Sequence, residues 1–264
     1  MNIDNSPNER RHEVDALRVL VLLLLVSFHS MIGFSPFAKM IGIPQNDELL
    51  TWITIPMSLL SKWRIPILFV ISGMAIWFSL MHMSTKEVLV HRLRRIAGPL
   101  ILGWFVMVPL DDYTGSLFYS KPYQYEPGEG YLWFLINILV YIALLTPLAA
   151  HVASDRGQSV RQSIEAGWSK GYIPLAALVL FSAESLLVDP NLYVAYFYGI
   201  HRWLIGFLCF CLGLSCAIGG SSFRKFVLRF RYILLALAFI FWLGSYIHKS
   251  FYGESVPSIL IGMQ

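Results

Sequence analysis

Asp15-Ala16-Leu17-Arg18 opens a run, Val19-Leu20-Val21-Leu22-Leu23-Leu24-Leu25-Val26, that closes on Ser27-Phe28-His29-Ser30. From Ala16 to Phe34 nearly every residue is Leu, Val, Ile, Phe or Met. About 20 such residues span a bilayer as a helix. Two ionisable side chains interrupt this one. At about 100° per residue, the eleven steps from Arg18 to His29 return to within roughly 20° of one helix face. At about 1.5 Å per residue, His29 lies roughly 16 Å beyond Arg18 along that face. Ionisable groups are costly in hydrocarbon and normally face a bundle interior or a wet cavity. The run therefore reads as one wall of an intramembrane site.

Composition extends that reading to the whole chain. Of 264 residues, 56% are hydrophobic and 14% charged, where an ordinary soluble domain carries about 25% charged residues. Mean hydropathy is +0.61. The net charge of +4 is no nucleic-acid signature, because the basic residues fall in short blocks between apolar runs. The three cysteines, Cys209, Cys211 and Cys216, share one apolar segment and read as small buried side chains, with no metal or disulfide site expected.

In chain order, Met1 to Glu13 is polar and no small-residue cleavage site follows the first run, so that run reads as a retained helix. Leu49 to Trp63 suits an interfacial helix broken at Pro56. Further spans are expected at Ile65–Met81, Ile96–Leu110, Tyr131 to about Val152, Tyr172–Val188, Tyr196–Ile218 and Tyr232–Ile247. Between them lie a basic loop from Met83 to Arg95, an acidic aromatic loop from Asp111 to Gly130 and a polar stretch from Asp155 to Gly171. The fold class is thus all-α, a polytopic transmembrane bundle of about seven spans, in one membrane-embedded domain over residues 1–264 with no repeat or long linker.

Placing the N-terminus in the cytoplasm puts 14 of the 20 basic residues inside, Arg18, Arg92, Arg94 and Arg95 among them. That bias follows the positive-inside rule at every loop. It sets Arg18 at the cytoplasmic face of an inner or plasma membrane and His29 in the outer half. Histidine is the usual general base for a hydroxyl near neutral pH, and guanidinium forks suit phosphates. Arg18, Arg92 and Arg95 at one level, with His29 above, fit a donor with a phosphorylated head and a long reactive arm, such as an acyl-coenzyme A.

Four stretches then carry a resemblance. Asp15-x-x-Arg18 with the Arg-x10-His spacing resembles the opening signature of the acyltransferase-3 family of integral membrane acyltransferases. Arg64-Ile-Pro-Ile-Leu-Phe-Val-Ile-Ser-Gly73, Arg92-Leu-Arg-Arg95-Ile-Ala-Gly-Pro99 and Tyr131-Leu-Trp-Phe-Leu135 are similar to its next motifs, in the same order. The arginine before Ile65-Pro66 is most like the glucan-succinylating branch, the glucan biosynthesis protein C-like proteins. The resemblance implies transfer of an acyl group, acetyl or succinyl, from cytoplasmic acyl-CoA as co-substrate to a hydroxyl of an extracytoplasmic glycan or sugar. It implies no bound cofactor. His29 would be the catalytic base or a transient acyl carrier. Arg18, Arg92 and Arg95 would bind the donor, and Arg64 would meet the acceptor or an acyl carboxylate. Two departures stand out. No carboxylate follows Leu132-Trp133, where Asn137 sits instead. The family usually has about ten membrane helices, so a chain truncated at its C-terminal helices is one reading.

Plainer roles compete for the same residues. Arg18 also suits a headgroup anchor, and Arg92, Arg94 and Arg95 suit plain topology charges. Asp15 suits a partner for Arg18 one turn away. Ser72-Gly73 suits close helix packing, and Trp133 an interfacial anchor. Glu184, His201 and Arg202 suit acceptor support or the membrane interface equally. The rival functions are a non-catalytic transporter for an anionic solute, which would be expected to show an internal repeat, and a seven-helix receptor.

Overall fold

The computed structural model describes residues 12–36, 38–41, 43–187 and 200–251. Among them all regular structure is helical. Helix α1 runs His12–Ile32 and α2 runs Thr54–Leu80. The two form an antiparallel hairpin closed by a cluster of Phe28, Ile32, Ala38, Ile53 and Met57. The expected interfacial helix does not exist as a separate element. A 3-10 turn at Thr51–Ile53 leads straight into α2, which continues past Pro56 and Pro66. Pro56 is the third residue of that helix, where a backbone N–H has no intrahelical acceptor, so its missing donor costs nothing.

The basic segment before the third span is helix as well. Ser84 caps α3 (Thr85–Leu102) through a reciprocal capping box with Glu87, which places Lys86, Arg92, Arg94 and Arg95 on helical turns. A π-helical turn at Gly103–Met107 passes the chain into α4, Val108–Phe118. Pro109 cannot donate to the carbonyl of Phe105. The Tyr125 hydroxyl does so instead, at 2.8 Å. The acidic loop thus begins eight residues later than expected, after Phe118. Its strap is also pinned by the Tyr119 hydroxyl on the Ile43 carbonyl, 2.7 Å away.

Helix α5, Trp133–Ala153, and α7, Tyr172–Leu187, fall where the hydropathy pattern puts them. The polar stretch between them is an amphipathic helix, α6 (Gln158–Lys170). Its buried Trp168 donates to the Ser215 carbonyl at 2.9 Å and meets the rings of Phe223 and Phe226. The last element, α8 (Ile200–Phe251), is interrupted at Gly220, with φ 46° and ψ −112°. That is left-handed backbone that glycine tolerates best. Its first limb lies along α2. A Cβ at Gly73 would strike the Phe210 carbonyl, and one at Gly213 the Val70 carbonyl. Small residues let the two backbones touch, as read for Ser72-Gly73. The second limb returns toward the start of α2, where the Trp242 indole meets the Ser58 hydroxyl at 3.2 Å.

Four described stretches are long and apolar enough to cross a membrane: Thr51–Leu80, Thr85–Phe118, Gly130–Ala153 and Ile200–Gly244. Two shorter apolar helices, Val19–Ile32 and Tyr172–Glu184, accompany them. The 45 residues of the last stretch would measure about 68 Å as one rod, against a hydrocarbon core of about 30 Å. The break at Gly220 resolves this by dividing it into the expected sixth and seventh spans. Met1–Arg11, the first residues of the sixth span before Ile200, and the tail Gly253–Gln264 lie outside the described residues.

Candidate functional site

The hairpin register brings His29 beside Arg64. The Arg64 guanidinium carbon lies 3.3 Å from the centre of the Phe28 ring, so the cation covers the aromatic face next to the imidazole. Arg64 is 5% exposed, and its Nε and Nη1 have no hydrogen-bond acceptor among the described residues. A buried donor left unmatched costs about 1–3 kcal/mol, more when charged. Arg64 is therefore a buried cation with donor capacity to spare among the described residues.

His29 itself is open to its surroundings rather than enclosed. Its Nδ1 lies 2.8 Å from the Leu25 carbonyl, one turn back on α1. A carbonyl only accepts, so Nδ1 carries the hydrogen and donates it. The lone pair of the neutral ring then resides on Nε2. Across from it stands Tyr131, with ring centroids 6.3 Å apart. Two separate elements, α2 through Arg64 and the turn before α5 through Tyr131, thus meet α1 around this ring. Sequence reasoning missed Tyr131 as a neighbour of His29, because it reads as a hydropathy boundary.

Arg92 binds the far end of α2, eleven residues beyond Arg64, where the Ala75 carbonyl accepts from its Nη2 at 3.1 Å and the Ser79 hydroxyl from the same nitrogen at 2.7 Å. Arg92 therefore ties α3 to α2 and holds its guanidinium in a fixed plane. Arg95 is exposed one turn further along α3. The backbone of Asp15 and Arg18 is helical, but their side chains lie outside the described residues.

Glu184 belongs to a different polar centre. Its carboxylate pairs with His201 Nδ1, both residues being buried. Next to them Arg202 pairs with Glu129 at 2.9 Å and lies 5.7 Å from the centres of the Trp133 and Trp203 rings. Asn137, fully buried, donates to the Arg202 carbonyl at 3.3 Å. Trp133 is only 2% exposed and packs toward Phe69. It is a core residue and not the interfacial anchor expected from its place at a helix end. The cysteines are free, with Cys209 and Cys216 buried.

A family model described as an acyltransferase domain, acyltransferase-3, matches residues 11–263. No curated protein and no solved structure matches the chain significantly.

Proposed function

Because this chain belongs to the acyltransferase-3 family of membrane acyltransferases, we propose that it moves an acetyl or succinyl group from acyl-CoA to a hydroxyl of an extracytoplasmic glycan or sugar. The observation that carries this reading is the His29 ring, tied through Nδ1 to a backbone carbonyl beside an unmatched guanidinium. His29 Nε2 takes the proton of the acceptor hydroxyl as the oxygen attacks the thioester carbonyl carbon. The C–S bond breaks as the C–O bond forms, and the imidazolium returns the proton to the departing thiolate. Both products leave neutral at the reacting atoms, and the base is regenerated.

Arg64 has a role that its empty N–H groups suit. A planar fork with two unmatched donors fits a carboxylate, as a succinyl group would bring, better than a methyl. The same donors would stabilise the oxyanion of the tetrahedral intermediate. Arg92, Arg95 and Arg18 would grip the phosphates of coenzyme A roughly 16 Å from His29, the length of a helix segment of ten or eleven residues. The charge asymmetry of the loops supports a membrane orientation with the N-terminus and these arginines in the cytoplasm.

The test is acyl content of surface glycans in cells producing the protein or its His29→Ala variant at equal membrane abundance. Loss of the modification in the variant is expected. An unchanged level would remove His29 from the chemistry, and binding of the bare solute without acyl-CoA turnover would favour the anion transporter.

A further inference from the structure

The three-residue turn Gly130–Leu132, which joins the strap to α5, is fastened at several points. Just before it, the Glu129 carboxylate accepts from Arg202 Nη1 at 2.9 Å and from Nη2 at 3.3 Å, a fork that ties the turn to α8. Gly130 has a φ of 43°, and a Cβ there would strike the Val108 side chain, so the backbone passes hard against α4. Leu132 is buried and presses on Gly103, and the next residue, Trp133, belongs to the core. Tyr131 sits between these buried neighbours and is itself 40% exposed. Its ring stands 6.3 Å from the His29 imidazole, tilted by 59°.

We propose that the Tyr131 ring is the face on which the acceptor sugar stacks, and that it selects a pyranose ring over an acyclic hydroxyl. The face of an aromatic ring carries the negative part of its quadrupole. The C–H groups on one side of a pyranose are weakly positive and poorly hydrated, so they are drawn to that face as water leaves both. A sugar lying there turns its rim of hydroxyls toward the imidazole, whose Nε2 holds the lone pair. The fastened turn matters to this role, because a surface that is already ordered loses little entropy when a ligand binds. The inference rests on the reading of the acceptor as a glycan or sugar, and names the residue that would recognise it.

A tyrosine at a helix end also suits the membrane interface, as an anchor among the headgroups. Two features separate Tyr131 from that role. An anchor needs no fixed backbone, whereas this turn carries an ion-pair fork, a positive-φ glycine and two buried neighbours. An anchor also looks out to lipid, whereas this ring faces the imidazole of another helix. The strap's other tyrosines are used differently. Tyr119, Tyr123 and Tyr125 donate their hydroxyls to the carbonyls of Ile43, Pro109 and Phe105, and so hold the strap in place.

The experiment uses the full chain in liposomes and reads two quantities. One is equilibrium binding of a radiolabelled neutral gluco-oligosaccharide, and the other is acyl transfer from acetyl-CoA to that oligosaccharide and to glycerol. Tyr131→Leu is expected to raise the Kd and KM for the oligosaccharide about 3- to 10-fold, and to lower the ratio of sugar to glycerol transfer by the same factor. The loss is expected in the acceptor and not in the KM for acetyl-CoA. Tyr131→Phe, which brings back the ring without the hydroxyl, is expected to recover most of the affinity. Thermal unfolding checks each variant, and Tyr131→Gln repeats the test where the leucine variant fails to fold. Wild-type sugar affinity without the ring, or an equal loss in Tyr131→Phe, overturns the stacking role. An equal loss for glycerol and sugar does the same. Failure of the wild type to bind the oligosaccharide saturably overturns the glycan reading and this inference with it.

Discussion

His29 and His201 both lie in apolar helices near the same end of the bundle, on either side of the turn at Gly130–Leu132, yet their surroundings are opposites. His201 is buried and paired with the Glu184 carboxylate, beside the Arg202–Glu129 pair. Among the described residues, His29 is open, bonded to its own backbone, and next to a guanidinium with two nitrogens short of acceptors. The His201–Glu184 pair closes two ionisable groups on each other, with Glu184 Oε2 left without a hydrogen-bond partner among the described residues, and such a buried pair behaves as a structural element. An imidazole with a bare nitrogen and an unmatched cation alongside is incomplete until something binds. The difference separates two histidines that composition and depth alone would rank equally.

The largest effect expected from disturbing this contrast is on the buried side. His201→Ala strands the Glu184 carboxylate, and loss of one partner of a buried pair costs about 3–5 kcal/mol. The variant should therefore fall sharply in membrane yield and unfolding temperature. Replacing both partners, Glu184→Leu with His201→Leu, removes the stranded charge and should restore yield together with acyl transfer. A double variant that folds well but transfers nothing would break the contrast, by giving the buried pair a part in the chemistry.

The next effect lies with Arg64. Arg64→Lys keeps the charge but loses the planar fork, and should lower transfer of a carboxylate-bearing acyl group about 10-fold more than transfer of acetyl. Donor competition between succinyl-CoA and acetyl-CoA reads this directly. Equal losses for both donors would assign the unmatched N–H groups to the reacting oxygen instead. A smaller effect is expected from Arg95→Gln. The residue is exposed and holds no helix together, so donor KM should rise about 3- to 10-fold with little change in kcat or stability. Arg92→Gln should raise donor KM and also loosen α3 from α2, because its guanidinium bonds the Ala75 carbonyl and the Ser79 hydroxyl.

Much of the fold was legible because long apolar runs leave little choice. The helices at Ala16–Phe34, Tyr131–Val152 and Tyr172–Val188 came from hydropathy alone. Where structure and sequence pattern part, a charge or a proline suggests a break that the chain does not make. The basic segment before Arg95 is helical, and Ser84-Thr85-Lys86-Glu87 held the capping box that announces it. Pro56 suggests an interruption but sits in the first turn of α2. At the site, the motif spacing led to His29, Arg64 and the Arg92–Arg95 pair because each lies on one helix at a fixed register. The Glu184–His201 pair is not legible, because it joins residues 17 positions apart on two helices, α7 and α8, whose mutual placement no periodicity encodes.

The most direct measurement is single-turnover acyl transfer by the purified protein in liposomes, comparing the wild type with His29→Gln under saturating acyl-CoA and acceptor. The amide can keep the bond to the Leu25 carbonyl but cannot accept the proton at Nε2. With His29 as the base, transfer is expected to fall about 10²- to 10⁴-fold with acyl-CoA binding preserved. Transfer at the wild-type rate, with the donor bound as before, would contradict it.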